Sequence, residues 1–227
     1  MEANPFWTVI FYMKSTSISE KHTLRRWELA LLLGTALAAL LGVWLNGSQS
    51  ALADQVIRLH VLANSDSQAD QALKLEVRDS ILAAAQDYFQ PGASREETEA
   101  ILRDHLWGLA NAGTQTVAEA GYDYPVTASL EENYWFPTKE YEDFALPAGE
   151  YTALRIVIGE GGGQNWWCVV FPPLCLGSVS ESAAQTALNA GLSEDQVSLI
   201  TGEDEGYVVK FRAMELLGDL QHWLSGE

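Results

Sequence analysis

The chain has 227 residues and carries 31 acidic against 13 basic side chains, a formal net charge of −18 at pH 7. That excess repels nucleic-acid phosphates and anionic headgroups, which argues against nucleic-acid binding and leaves a solvated acidic surface or a basic patch on a protein partner. Two cysteines at C-x6-C spacing and four scattered histidines do not make a zinc set, and no cofactor motif is present.

In chain order, Lys14, Lys21, Arg25 and Arg26 come first, ahead of an uncharged run from Leu29 to Leu45 and then Ala51-Leu52-Ala53. This is the layout of an export signal, with an A-x-A pattern that places cleavage between Ala53 and Asp54. The run of 17 residues is long for a signal core of about 7–15 and short for a span of about 17–25, so a cleaved signal and an uncleaved anchor both stay open. In either form the basic flank stays cytoplasmic, and any membrane contact runs through this segment. Residues 1–53 are therefore the targeting part and 54–227 the exported part. The three acidic and four basic residues before Asp54 leave 28 acidic against 9 basic in the exported part, a length that buries one core.

The exported part opens with a strand, Gln55 to Ala63, broken by the turn chemistry of Asn64-Ser65-Asp66. Ser67 then caps a helix that runs to about Tyr88, with Ala69, Leu73, Val77 and Ile81 on its buried face. Pro91-Gly92 ends it, and a capping box from Ser94 to Glu97 starts a second helix to about Gly121. Strand patterns follow at Tyr124–Leu130, Tyr151–Ile158 and Trp166–Phe171, then a short helix at Ser182–Ala190, a strand at Tyr207–Phe211 and a closing helix at Ala213–Leu224. The order predicts one α+β domain with a largely antiparallel sheet and packed helices, in a strand order that spacing does not specify.

The most unusual stretch is Asn165–Cys175, NWWCVVFPPLC. Each tryptophan there has about 150–250 Å² of surface to bury, so Trp166 and Trp167, on opposite faces of a strand, predict one side against the core and the other against a partner. Cys168 and Cys175 form either a disulfide or two buried thiols, with Pro172-Pro173 as the turn between them. Trp135, in the cluster Tyr134-Trp135-Phe136-Pro137, is either a partner anchor or a cap over the sheet edge. His60 with Asn64, Ser65 and Asp66 could compose a polar site at a helix N-terminus, but Asn, Ser and Asp are also ordinary turn and cap residues. Gly159–Gly163 lacks the Gly-Lys-Ser/Thr ending of a phosphate loop and reads as a hairpin turn.

Four segments carry a resemblance: Ile57–Leu82, with R-x-H-V-x-A-N-S-D followed by D-Q-A-L-K and V-R-D, then FPTKEY from Phe136, PAGEY from Pro147, and ALRIVIGEGGGQNWWCVVFPPLC from Ala153. Together they resemble the stage II sporulation protein R family over most of the exported part. The resemblance implies a protein made in the forespore and exported into the space between the two membranes that separate it from the mother cell. There it would activate a membrane-embedded aspartic protease, which removes the pro-sequence from a mother-cell sigma factor. It implies a trigger and not an enzyme. The docking surface expected on this reading is the Asn64–Asp66 loop with whatever remains exposed of Trp166, Trp167, Phe171 and Pro172, and Trp135 as a second anchor. The competing expectation is an extracytoplasmic hydrolase, for which Asp66, Asp70 and Asp79 are the available carboxylates.

Overall fold

The computed structural model describes residues 26–89, 92–175 and 182–202, and the chain divides into two compact units, 1–41 and 42–227. The apolar run lies in helix α1 (Arg26–Ala53), whose last residues, Leu52 and Ala53, are buried in the core of the second unit. No helix among the described residues is long and apolar enough to cross a membrane.

Strand β1 (Ile57–Leu62) is buried along its whole length, with Ile57, Leu59 and Val61 alternating with buried Arg58 and His60. Helix α2 (Gln68–Tyr88) and helix α3 (Arg95–Glu119) follow, then the long strand β2 (Val126–Phe136). A two-stranded hairpin, β3 (Lys139–Glu140) and β4 (Ala145–Leu146), leads into β5 (Gly149–Ile158) and β6 (Asn165–Phe171). The main sheet has the order β2-β5-β1-β6, in which only the β1–β5 pair is parallel. This is the α+β class with a largely antiparallel sheet that the element pattern implies. Parallel pairing of β1 with β5 requires a long crossover, and α2, α3 and β2 supply it.

Both long helices begin where the capping residues stand. Ser67 Oγ accepts the Asp70 N–H at 3.1 Å, and Ser94 and Glu97 complete a reciprocal capping box. Leu73, Val77 and Ile81 of α2 and Leu102, Leu109 and Val117 of α3 then cover one sheet face, against Leu59, Val61, Leu154 and Ile156. Gly113 lets α3 approach closely, since a Cβ there would lie 2.9 Å from Val126.

On the other face a second apolar cluster forms among the described residues. Leu52, Val56, Phe136, Tyr151 and Val169 pack there with Ala187 of helix α4 (Ala183–Asn189), Leu192, and Val197 and Ile200 of helix α5 (Glu194–Thr201). The sequence patterns did not include α5, although Ser193 and Gln196 form its capping box. The strand expected to end at Leu130 continues to Phe136. A register shift between Glu131 and Tyr134, with Asn133 at φ 55°, interrupts the alternation without ending the pairing. The strand expected at 207–211 and the helix expected at 213–224 lie outside the described residues.

Candidate functional site

The Asn64–Asp66 turn is a clamp between the end of β1, the start of α2 and the glycine turn after β5. Asn64 Nδ2 and Ser65 Oγ donate to Asp70 Oδ2 at 2.9 and 2.5 Å. In the other direction, Asn64 Oδ1 accepts from the Glu160 N–H at 3.0 Å, and the Asn64 and Ala63 carbonyls accept from the Gly162 and Gly163 N–H groups. Asp66 Oδ1 accepts from the Gln164 N–H at 2.8 Å, while Lys74 Nζ donates to the Gln164 carbonyl at 3.0 Å. The glycines follow from this closeness. A Cβ on Gly163 would lie 2.3 Å from the Ser65 carbonyl oxygen, and Gly159, at φ +58°, would press on Asn64.

These bonds bear on two expectations. Asn64 and Ser65 are half-buried and bonded within the fold while Asp66 is exposed, so the loop is a structural clamp with one solvent-facing edge. No hydrogen bond joins them to His60 among the described residues, because the His60 ring lies on the sheet face away from the helices and bonds Asn165 Oδ1 at 2.9 Å. The three carboxylates of the hydrolase reading also separate: Asp66 holds Gln164, Asp70 holds the clamp, and Asp79 pairs with Arg78 at 2.7 Å. Among the described residues no group of three His, Cys, Asp or Glu is placed to hold a metal ion.

On β6 the two tryptophans part as the pleat requires. Trp166 turns to the helix side, where the Arg78 guanidinium lies 4.4 Å from its ring centroid. Trp167 turns to the opposite face, 6.3 Å from the His60 ring. Cys168 and Cys175 are joined as a disulfide across a Cα–Cα distance of 6.1 Å, and the Phe171–Pro172 bond is cis. Phe171 is only 5% exposed and Pro172 is buried as well, so neither presents a surface to a partner. They fill the core beneath the turn. Trp135 also moves: Tyr134 and Phe136 contact each other on the His60 face, so Trp135, between them, projects from the opposite side of the strand and does not join Trp167 in one patch.

The face carrying Trp167 holds a strip of polar and aromatic side chains. Arg58 and His60 of β1, Arg155 of β5 and Glu131 of β2 lie along it, bordered by Tyr134, Phe136, Tyr141 and Trp167. Arg155 Nη1 pairs with Glu131 Oε1 at 3.2 Å, and the Tyr141 hydroxyl donates to the Trp167 carbonyl at 3.1 Å. Burial holds His60 below its usual pKa of 6.5, with Arg155 and Arg58 adding to the depression and the Asn165 bond and Glu131 opposing it. Residue patterns point to His60 and to the aromatics Tyr134, Phe136, Tyr141 and Trp167 of this strip, but not to Arg155 or Glu131. The R-x-H spacing on a buried strand was the available sign that Arg58 and His60 share a face.

The family model described as stage II sporulation protein R matches residues 53–181, a range that contains the clamp, the disulfide and every residue of the strip. The chain is similar to Stage II sporulation protein R of Bacillus subtilis (strain 168), with 39% identity over 131 residues. That similarity covers 58% of this chain and 58% of the relative's length. No solved structure matches.

Two outcomes are expected from the clamp. Alanine at Gly163 should lower stability in urea melts by about 1–3 kcal/mol, since backbone has to move to admit the Cβ. Asp70 is held below its usual carboxylate pKa by the Ser65 and Asn64 donors, against a smaller opposing effect of burial. Its contribution is therefore complete above pH 3.8 and is lost as pH falls through the depressed value. Asp70→Asn should destabilise the protein at neutral pH and flatten that acid limb, measured as ΔG of unfolding from pH 6 to pH 2.

Proposed function

The chain belongs to the stage II sporulation protein R family, and from that membership we propose that it is an exported sporulation signal, which activates a membrane-embedded aspartic protease and so triggers processing of a mother-cell sigma-factor precursor. The family match over residues 53–181 carries this reading. The separate engagements of Asp66 with Gln164, Asp70 with the clamp and Asp79 with Arg78 support a binding protein over a hydrolase. The same reading has the N-terminal segment direct export and the compact unit act in the space between forespore and mother cell. The basic flank and the exposed Leu31, Leu33, Leu37 and Leu40 of α1 support contact of this segment with a membrane.

Activation requires that the domain bind the active arrangement of the protease better than the inactive one. Moving such an equilibrium from 1:99 to 99:1 takes about 5.5 kcal/mol of differential affinity, which a few aromatic anchors can provide. With Phe171 and Pro172 in the core and the Asn64–Asp66 turn engaged, the docking surface is the part of the second sheet face around Trp167, Tyr134 and Asn165.

The test is co-expression of the protease and its sigma precursor in a host that does not sporulate, with and without the exported chain, following precursor cleavage by immunoblot. Cleavage is expected only when the chain is present. Trp167→Ala should lower the cleavage rate about 30-fold, the effect of losing an anchor worth about 2 kcal/mol, while Trp107→Ala, on the surface of α3, should leave it unchanged. Absence of cleavage with all three proteins stable, or full activity of W167A, would contradict the proposal.

A further inference from the structure

The strip on the second sheet face contains more buried donors than it can use. Arg58 is 0% exposed, and its guanidinium lies 4.2 Å from the Phe136 ring centroid and 5.0 Å from that of Tyr151. Its one hydrogen bond among the described residues is long, from Nη2 to the Tyr141 hydroxyl at 3.4 Å. Nε and Nη1 are buried with no partner among the described residues. Two positions along β1, His60 is 2% exposed and its Nδ1 is equally unpartnered, as is Nε of Arg155, the residue beside His60 on β5.

These atoms belong to one neighbourhood. The Phe136 ring borders both Arg58 and His60, and the Tyr134 ring borders both His60 and Arg155, at 5.2 and 5.6 Å. Each unpartnered buried donor destabilises a fold, and a charged one does so most. Cation–π contact offsets part of this for Arg58 but leaves its in-plane N–H groups unsatisfied. Among the described residues, a chain of net charge −18 nonetheless keeps two guanidiniums here against one carboxylate, that of Glu131.

We propose that this strip is a carboxylate-binding site, with Arg58 and Arg155 as the charge partners and His60 as an orienting donor. One uncompensated positive charge calls for one negative charge, and a carboxylate is the planar anion that a guanidinium fork grips with two parallel bonds. Aromatic walls at Phe136, Tyr151 and Tyr134 favour a flat ion over a tetrahedral, doubly charged phosphate. Turning the Asn165 amide so that Nδ2 faces His60 Nε2 moves the ring proton to Nδ1, which then donates to the ligand. Access lies at the half-buried rim formed by Tyr134, Arg155 and Trp167, beside exposed Asn165. Within this proposal the carboxylate is carried on an acidic side chain of a protein segment laid across this rim. The site does not depend on the proposed function; only the identity of the protein that supplies the acid does.

Thermal unfolding of the purified full chain tests the site without the protease. The probes are sodium acetate, the peptide acetyl-Ala-Glu-Ala-amide and its glutamine counterpart, with sodium chloride and inorganic phosphate at matched ionic strength. Acetate and the glutamate peptide should raise Tm by roughly 3–5 °C for each tenfold increase above the dissociation constant, and the glutamine peptide, chloride and phosphate should not. Arg155→Gln, at the rim, and Arg58→Met, in the core, should each abolish the shift, and R58M should keep or raise the ligand-free Tm because an apolar side chain replaces an unpaired buried charge. A shift with acetate but none with the glutamate peptide would overturn the protein-segment source, and an equal shift with phosphate would overturn the carboxylate class. The same Tm in acetate and chloride, or a full shift in both variants, would overturn the site itself.

Discussion

Strand β1 has to be buried on two faces of opposite chemistry, and most of the second unit follows from how that is done. Ile57, Leu59 and Val61 face α2 and α3 and form an ordinary apolar core. Arg58 and His60 face the other way, into aromatic rings supplied by β2, β5 and β6. A central strand flanked on one side by a parallel neighbour and on the other by an antiparallel one has no free edge. Its backbone is paired on both sides, and because Arg58 and His60 are themselves buried, they need partners other than bulk water.

The clamp at the end of β1 keeps this arrangement in register. Slipping a strand by one residue would exchange its two faces, placing Arg58 and His60 among the leucines of α2. The bonds from Asn64, Ser65 and Asp66 to Asp70, Glu160 and Gln164 tie the turn after β1 both to α2 and to the loop that joins β5 to β6. Asn64 to Asp66 thus hold β1 and β6 where His60 and Trp167 meet.

Much of this was legible in the residues, and the failures have physical causes. The helices could be read because their caps and four-residue apolar repeats are local features, and the strands Gly149–Ile158 and Asn165–Phe171 because runs of branched and aromatic residues are equally local. The continuation of β2 was hidden by a bulge, since one extra residue destroys a period-two pattern while the hydrogen-bonded pairing resumes beyond it. How much of Phe171 and Pro172 stays exposed could not be read locally, because burial depends on what covers a strand, which is a long-range property. Arg58 was hidden for the same reason: an arginine within a strand ordinarily marks a solvated position, and only the tertiary arrangement encloses it.

On the proposed function the chain acts through the second sheet face around Trp167 and Tyr134, presented to a partner protein. Hydroxyl-radical footprinting of the full chain, alone and bound to the protease in detergent, reads that claim directly at single side chains. Protection should appear at Trp167 and Tyr134, while Trp107, 80% exposed on α3, keeps its reactivity as an internal control. Protection of Trp107 with Trp167 and Tyr134 unchanged would move the interface to the helix side and contradict the account.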